Sequence, residues 1–128
     1  MRVNEITEKV IGAAIEVHRV LGPGLLESAY EECLAKELDL VGIRYDREKP
    51  LPVIYKGVKL DCGYRIDFFV ENQVVIELKS VDAITPIFVA QVLSYLRLLD
   101  RQVGLLINFN VPVLRDGVRR VVNNYKEE

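Results

Sequence analysis

Three charged residues, Asp67, Glu77 and Lys79, lie within two otherwise apolar runs of the sequence. The runs cover residues 64–70 and 74–79, and they have the composition of a β-hairpin. A carboxylate in a protein core is strongly unfavourable unless it is ion-paired, hydrogen-bonded or bound to a metal. Two carboxylates on adjacent strands therefore indicate a site for a cation between them.

The alternation of side chains along a strand predicts which of these groups share a face. Successive strand residues point to opposite faces, so Glu77 and Lys79 lie on the same face. Val74, Ile76 and Leu78 then form the apolar face that anchors the strand, and we expect helices to cover it. The acid and the base are therefore presented together.

The length of the hairpin loop decides whether Asp67 joins this face. A three-residue loop, residues 71–73, places Asp67 opposite Glu77, because directly opposed residues point to the same side of a sheet. A two-residue turn would place Asp67 opposite Leu78, on the other face. We predict the three-residue loop because Asn72 readily adopts the left-handed backbone conformation that such loops commonly require.

The tripeptide from Glu77 to Lys79 also has a simpler interpretation. A Glu-x-Lys tripeptide is expected roughly once by chance in a chain of this length and composition. Most such tripeptides lie on solvated faces of strands or helices. An exposed antiparallel face is therefore the main alternative to a cation site.

Length and composition indicate one globular domain spanning residues 1–128. Of the 128 residues, 50% are hydrophobic and 28% are charged, which is sufficient for a proper core. No apolar run approaches the roughly 20 residues needed to span a bilayer, and the N-terminus has amphipathic spacing rather than that of a signal peptide. We therefore expect a soluble cytoplasmic protein. Cys33 and Cys62 belong to no Cys-x-x-Cys pair, so we expect free thiols.

The charge balance argues against a strongly basic protein that coats nucleic acid. Assigning the carboxylates of Glu27, Asp67 and Glu77 to metal binding changes the formal net charge of the remainder from −2 to +1. Bound divalent cations would make the site itself electropositive. An acidic protein could hold a phosphodiester in this way.

Amphipathic spacing predicts two helices at the beginning of the chain and one near its middle. The first is expected from Asn4, as its cap, to about Val20, and the second from about Leu25 to about Val41. Gly42 is the expected terminator of the second helix. The third helix is expected to open at Thr85-Pro86 and to end near Asp100.

Short apolar runs predict the strands that these helices must cover. The expected strands before the third helix are 43–48, 51–55, 58–61, 64–70 and 74–79. Val103 to Phe109 is a continuous apolar run, as expected for a buried strand reached by a crossover connection. The segment from Val118 to Tyr125 is compatible with a short strand or a helix. The whole order indicates α/β organisation.

This order and two motifs together resemble the PD-(D/E)XK nuclease superfamily. One motif is Asp67 followed by Glu77-x-Lys79. The other runs from Gly24 to Tyr30 and is similar to the signature of the small prokaryotic GxxExxY proteins, a branch of that superfamily. The resemblance covers residues 6–122. It implies a restriction-endonuclease-like α/β core of order αβββαβ, with a mixed central sheet flanked by helices and an extra N-terminal helix.

The resemblance also implies roles for individual residues. Asp67 and Glu77 would bind Mg²⁺ or Mn²⁺, and Lys79 would be the catalytic lysine. Glu27 would be the acidic residue of the preceding helix, with both a catalytic and a metal-binding role. Ile66 replaces the proline of the nominal motif, which is a common change in a loosely defined motif.

Four further residues are candidates with open alternatives. Gln91-x-x-x-Tyr95 is similar to a motif of RecB-like nucleases, and its spacing of four places both side chains on one helical face. Gln91, Tyr95 and Tyr30 are candidates for contacting substrate or supporting the site, although both tyrosines could simply pack in the core. His18 is a candidate metal ligand, although a lone helical histidine is more often structural. The helix dipole favours an acid at Glu27 whatever its function.

The chemistry that this set of residues would support is hydrolysis of phosphodiester bonds. That reaction needs an activated water, in-line attack and relief of negative charge on the phosphate oxygens. We therefore expect a metal-dependent nuclease that acts on nucleic acid, DNA in preference to RNA, with a homodimer as a candidate assembly. One alternative is a catalytically silent nuclease-fold module that binds nucleic acid or a protein partner. Another is a structural domain, which would leave the hairpin charges unexplained.

Overall fold

The computed structural model describes residues 1–126, in which two α-helices are followed by five strands, a third α-helix and two further strands. The α-helices of the described residues are α1 (Val3–Leu21), α2 (Glu27–Leu40) and α3 (Pro86–Leu99). The strands are β1 (Tyr45–Pro50), β2 (Val53–Tyr55), β3 (Val58–Leu60), β4 (Arg65–Val70), β5 (Val74–Lys79), β6 (Val103–Asn108) and β7 (Val118–Val122). A short 3₁₀ helix, Leu114–Gly117, precedes β7.

Five of the strands form a mixed sheet of order β1-β4-β5-β6-β7. Strands β5 and β6 pair in parallel, and the other neighbours pair antiparallel. The parallel pair requires a crossover, and α3 supplies it. Strands β2 and β3 form a separate two-stranded ribbon. The mixed α/β fold predicted from the sequence is confirmed.

Helices cover both faces of this sheet, and the central strands contribute to both cores. Val74, Ile76 and Leu78 pack with the apolar faces of α1 and α2. Val75 on the same strand packs with Val92 and other residues of α3. Burial on two faces explains why β5 and β6 are nearly continuous apolar runs. It also means that a charged side chain on β5 must lie beneath a helix.

Several element boundaries differ from those predicted. The N-cap of α1 is Arg2 rather than Asn4, whose side-chain oxygen instead accepts a hydrogen bond from Arg120 at 2.9 Å. Helix α2 begins at Glu27 rather than Leu25, because Leu26 has an extended backbone conformation. Strand β1 begins at Tyr45, two residues later than predicted. The carbonyl oxygen of Arg44, just before it, accepts a hydrogen bond from the backbone N–H of Glu71 in the loop between β4 and β5.

Other local predictions agree with the structure. Pro86 is the first residue of α3 and Thr85 precedes it as N-cap. Gly42 follows α2 with φ of 73°, the left-handed conformation that ends many helices. The segment beginning at Val118, for which strand and helix were both open, is the edge strand β7. Cys33 and Cys62 are free thiols.

Within residues 1–126, no helix has both the length and the apolar character needed to cross a membrane.

Close contact between α3 and β6 depends on Gly104. A Cβ atom at this position would lie 2.8 Å from Cγ1 of Val92 on α3 and 3.2 Å from the carbonyl oxygen of Val75. Both distances are shorter than ordinary van der Waals contact. The absence of a side chain at Gly104 therefore allows α3 to approach the sheet on the face that bears Glu77 and Lys79.

We expect Gly104→Ala to lower the free energy of unfolding by about 1–3 kcal/mol, because the added methyl group overpacks this contact. Urea denaturation followed by circular dichroism measures the change. Gly12→Ala is the matched control, since Gly12 lies within α1 and has nothing within 4 Å of the added carbon. We expect this control to raise stability by up to about 1 kcal/mol through helix propensity. Equal effects of the two substitutions would contradict the role of Gly104.

Candidate metal centre and catalytic site

The hairpin of β4 and β5 has the predicted three-residue loop. Val70 pairs with Val74, and residues 71–73 connect the two strands. Glu71 and Asn72 have φ values of 51° and 55°, so the left-handed conformation predicted for Asn72 is confirmed and a second one precedes it. The loop sets the register of the pairs from Val70 and Val74 to Phe68 and Ile76.

At the far end of the hairpin, carboxylates replace the ladder of backbone hydrogen bonds. The backbone pairs of β4 and β5 run from Val70 and Val74 to Phe68 and Ile76. The next pair in this register would be Asp67 and Glu77. There, the backbone N–H of Asp67 donates to Oε1 of Glu77 at 3.1 Å. The backbone N–H of Leu78 donates to Oδ2 of Asp67 at 2.8 Å. The structure therefore brings Asp67 and Glu77 together.

Burial dominates the electrostatics of the two acids. Glu77 is 6% exposed, and burial, followed by the negative charge of Asp67, raises its pKa to about 8. Burial also raises the pKa of Asp67, although the hydrogen bond from Leu78 opposes the change. The charge of Lys79 favours the ionised form of both acids and so lowers both pKa values. A second cation between the carboxylates would act in the same direction.

Tyr30 fixes the turn that precedes Glu27 and α2. Its hydroxyl donates to the carbonyl oxygen of Gly22 at 2.6 Å and accepts from the backbone N–H of Leu25 at 3.1 Å. The ring is buried and stacks on Phe109, with 4.4 Å between ring centroids. Tyr30 therefore holds the turn that precedes α2.

Glu27 is the first residue of α2 and faces the end of β5. Its Oε1 accepts from the backbone N–H of Ser80 at 3.4 Å, and the Ser80 hydroxyl donates to the carbonyl oxygen of Leu25 at 2.6 Å. The charge of Glu27 contributes to raising the pKa of Asp67. The predicted helix acid therefore lies near the hairpin acids.

Two acids that the sequence reasoning missed, Glu31 and Glu48, also lie beside Asp67. One oxygen from each of these three residues lies within 4.8 Å of the others, and Glu27 and Glu77 are outside this group of three. Glu31 is one helical turn after Glu27, a spacing that could have identified it. No pattern in the sequence marks Glu48, which has φ of 55° within β1.

Arg47 holds the Glu31 side chain of this cluster. Its Nη2 donates to Glu31 at 2.8 Å and to Glu32 at 2.6 Å. Burial raises the pKa of Glu31, the bond from Arg47 lowers it, and Glu48 raises it again. Arg47 therefore holds and partly neutralises Glu31.

Gln91 and Tyr95 lie on α3, above the face of β5 that bears Lys79. Tyr95 is 5% exposed, and burial, together with the charge of Glu77, raises its pKa to about 12. Gln91 and Lys79 line the same cleft. The ammonium nitrogen of Lys79 lies 4.7 Å from the ring centroid of Phe88. The predicted lysine thus lies between the acids and α3.

His18 lies in the last turn of α1 and has a structural contact there. Its Nε2 is 2.7 Å from the carbonyl oxygen of Val111, and the side chain is buried. This bond connects α1 to the segment that follows β6. The role of His18 as a metal ligand stays a prediction, and the acidic group of three described above does not include it.

Comparison with protein families identifies the fold to which this arrangement belongs. A family model described as the PD-(D/E)XK nuclease superfamily matches residues 4–121. The chain belongs to the PD-(D/E)XK nuclease superfamily. Comparisons with curated proteins and with solved structures gave no match.

The residues at this end of the sheet fit the divalent cation that PD-(D/E)XK nucleases typically use. Carboxylate oxygens are the ligands that Mg²⁺ and Mn²⁺ prefer. Asp67 and Glu77 each use one carboxylate oxygen to accept a backbone N–H. Their second oxygens, with the nearby acids of α2 and β1, supply the donors that such an ion needs.

We expect the stability of the metal-free protein to fall as pH rises from about 4.5 towards 8, the interval between the ordinary and the raised pKa of Glu77. In this interval the folded protein retains a proton that the unfolded chain has lost, so each rise in pH favours unfolding. Urea denaturation in the presence of a chelator at several pH values measures the slope. Glu77→Gln keeps an oxygen for the Asp67 N–H and should make the slope shallower.

Glu8→Gln is the control for this experiment, since Glu8 is an exposed glutamate on α1. It should leave the slope unchanged. A wild-type stability that is independent of pH in this interval, or an equal slope in Glu77→Gln, would contradict the expectation.

Proposed function

We propose that this protein is a metal-dependent nuclease that hydrolyses phosphodiester bonds of nucleic acid. The observation that carries the proposal is the link between Asp67 and Glu77, whose carboxylates each accept a backbone N–H from the opposite strand. Lys79 lies two residues after Glu77, on the same face of β5. The chain belongs to a superfamily of nucleases. Two acids and a lysine in this arrangement suit cleavage of a phosphodiester.

In this proposal the residues divide into those that hold a metal and those that act on the phosphate. Asp67, Glu77 and Glu27 would hold Mg²⁺ or Mn²⁺, which when bound lowers the pKa of a water ligand and offsets negative charge on phosphate. Glu31 and Glu48 are close enough to Asp67 to take part. Lys79 would place its ammonium group against the scissile phosphate and stabilise charge that develops there.

Finer assignments follow from the sequence motifs and from the fold. Tyr30 and Glu27, with the turn at Gly24, support membership of the GxxExxY branch of the superfamily. We further propose that DNA is preferred to RNA, that residues 1–128 form one domain and that the protein acts in the cytoplasm. A homodimer is the assembly we propose for engaging two strands.

We expect Mg²⁺ or Mn²⁺ to raise the melting temperature, because a ligand that binds only the folded state stabilises it. A tenfold excess over the dissociation constant gives about 1.4 kcal/mol, or roughly 4 °C for a domain of this size. Differential scanning fluorimetry at pH 8 measures the shift. Asp67→Asn retains an acceptor for the Leu78 N–H and should abolish the shift, whereas Asp46→Asn, an exposed position on β1, should retain it. An equal shift in both variants would show that the metal binds elsewhere.

We expect the purified protein to cleave nucleic acid in the presence of Mg²⁺ or Mn²⁺ and to stop when the metal is chelated. The test is a panel of labelled single-stranded, duplex and branched DNA and RNA. Lys79→Ala should reduce the rate by about 10²–10⁴-fold, because a charge positioned at the phosphate is lost. Lys59→Ala removes an exposed lysine of β3 and should leave the rate unchanged.

The outcomes of the cleavage test separate the candidate functions. Cleavage that survives Lys79→Ala would remove Lys79 from the mechanism. Binding of nucleic acid without cleavage of any substrate in the panel would favour a silent module of the nuclease fold.

A further inference from the structure

A cleft of about 510 Å³ opens between α3 and the strands, next to the candidate metal centre. Its volume lies within the range of roughly 300–1,000 Å³ that is typical of small-molecule sites. The aromatic residues that line it are Tyr64, Phe88 and Tyr95. The rings of Tyr64 and Tyr95 meet edge to face, with 6.0 Å between centroids.

The lining of this cleft is apolar, with its charge at one place. Among the described residues that line the cleft, Lys79 carries a charge. The same lysine belongs to the candidate catalytic site. The cleft also exposes apolar side chains to solvent: Ile87 is 70% exposed and Tyr64 is 43% exposed. Exposed apolar surface beside a functional site commonly marks a binding surface.

The polar groups of the cleft lie on one side of α3. Gln91 and Ser94 are three residues apart, so their side chains lie on adjacent positions of the same helical face. An amide and a hydroxyl offer both donors and acceptors of hydrogen bonds. Aromatic and apolar walls, one polar edge and one cationic end together suit a flat heteroaromatic ring attached to an anionic group.

We propose that this cleft holds an unpaired nucleobase of the strand whose phosphate lies at Lys79. The inference rests on the proposed function, because that function places the phosphate at this lysine. Bases stack on aromatic side chains in many proteins that bind single strands. The cleft borders the candidate site at Lys79, which argues for a base of the substrate rather than for an apolar segment of another protein.

This occupant determines the substrate class. A base within a duplex is stacked and paired, so it must be unpaired before it can enter a cleft. Single strands, frayed ends and flaps already provide such a base. The structure therefore favours substrates with unpaired nucleotides next to the cleaved bond over continuous duplex.

The test uses the full-length protein and a short single-stranded DNA that carries 2-aminopurine, in a chelator so that no cleavage occurs. Stacking in the cleft should quench the fluorescence of 2-aminopurine, and a duplex of the same sequence should bind at least tenfold more weakly. Tyr64→Ala should weaken single-strand binding by about five- to a hundredfold, the usual effect of losing one base–aromatic stack. Phe88→Leu keeps an apolar side chain on α3 for packing against the core and should have a similar effect through loss of the ring.

Tyr55→Ala is the matched control, because Tyr55 is an exposed tyrosine on β2 that does not line the cleft. It should leave binding and quenching unchanged. Equal affinity for duplex and single strand would overturn the inference. So would cleft variants that behave like Tyr55→Ala, or a failure of the wild-type protein to bind the single strand.

Because this assay measures binding without metal, its failure can be distinguished from failure of the proposed function. Quenching that depends on Tyr64, in a protein that cleaves nothing when metal is added, would support the cleft and refute the nuclease. Metal-dependent cleavage that is unaffected by Tyr64→Ala, with no quenching, would support the nuclease and overturn the cleft.

Discussion

The exchange of two backbone hydrogen bonds for two carboxylate hydrogen bonds determines the rest of this site. Where β4 and β5 would continue their ladder, the side chains of Asp67 and Glu77 accept N–H groups from the opposite strands. Each acid is therefore held by the backbone of the strand that carries the other. The fold therefore orients two carboxylates, each with a second oxygen, without relying on flexible loops.

The strand on the other side of β4 is irregular at the same point. Strand β1 pairs with β4 on both sides of Glu48, through Arg47 and Lys49, but Glu48 itself and Asp67 do not pair. Glu48 has φ of 55°, a conformation that costs a non-glycine residue about 1–2 kcal/mol. The sheet is thus interrupted on both sides of Asp67. The side chain of Asp67 can reach Glu31 on α2 because regular strand pairing no longer holds it over one face of the sheet.

The sequence was sufficient to predict the hairpin and its three-residue loop, because strand periodicity and loop length fix register. The alternation along the strands predicts that Asp67, Glu77 and Lys79 share one face, and the carboxylates of Asp67 and Glu77 meet just beyond the last backbone pair, Phe68 and Ile76. The same reasoning could not find Glu48, since a left-handed residue inside a strand has no signal in the surrounding pattern. Sequence patterns also failed to place Asn4, which was predicted to cap α1. Its side chain instead accepts a hydrogen bond from Arg120, far away in the sequence. Tertiary contacts determine such positions.

The residues around the acids differ in how firmly the fold holds them, and this difference bears on function. Glu77 and Tyr95 are almost completely buried, and Tyr30 is fixed by two hydrogen bonds and a stacked ring. Tyr64 and Ile87, by contrast, remain exposed on the adjoining cleft. Rigid groups suit chemistry, which needs fixed geometry, whereas an open apolar wall suits a partner that arrives from solvent. In the proposed nuclease, the carboxylates and Lys79 would therefore position the reactive phosphate, and the cleft would select the strand that carries it.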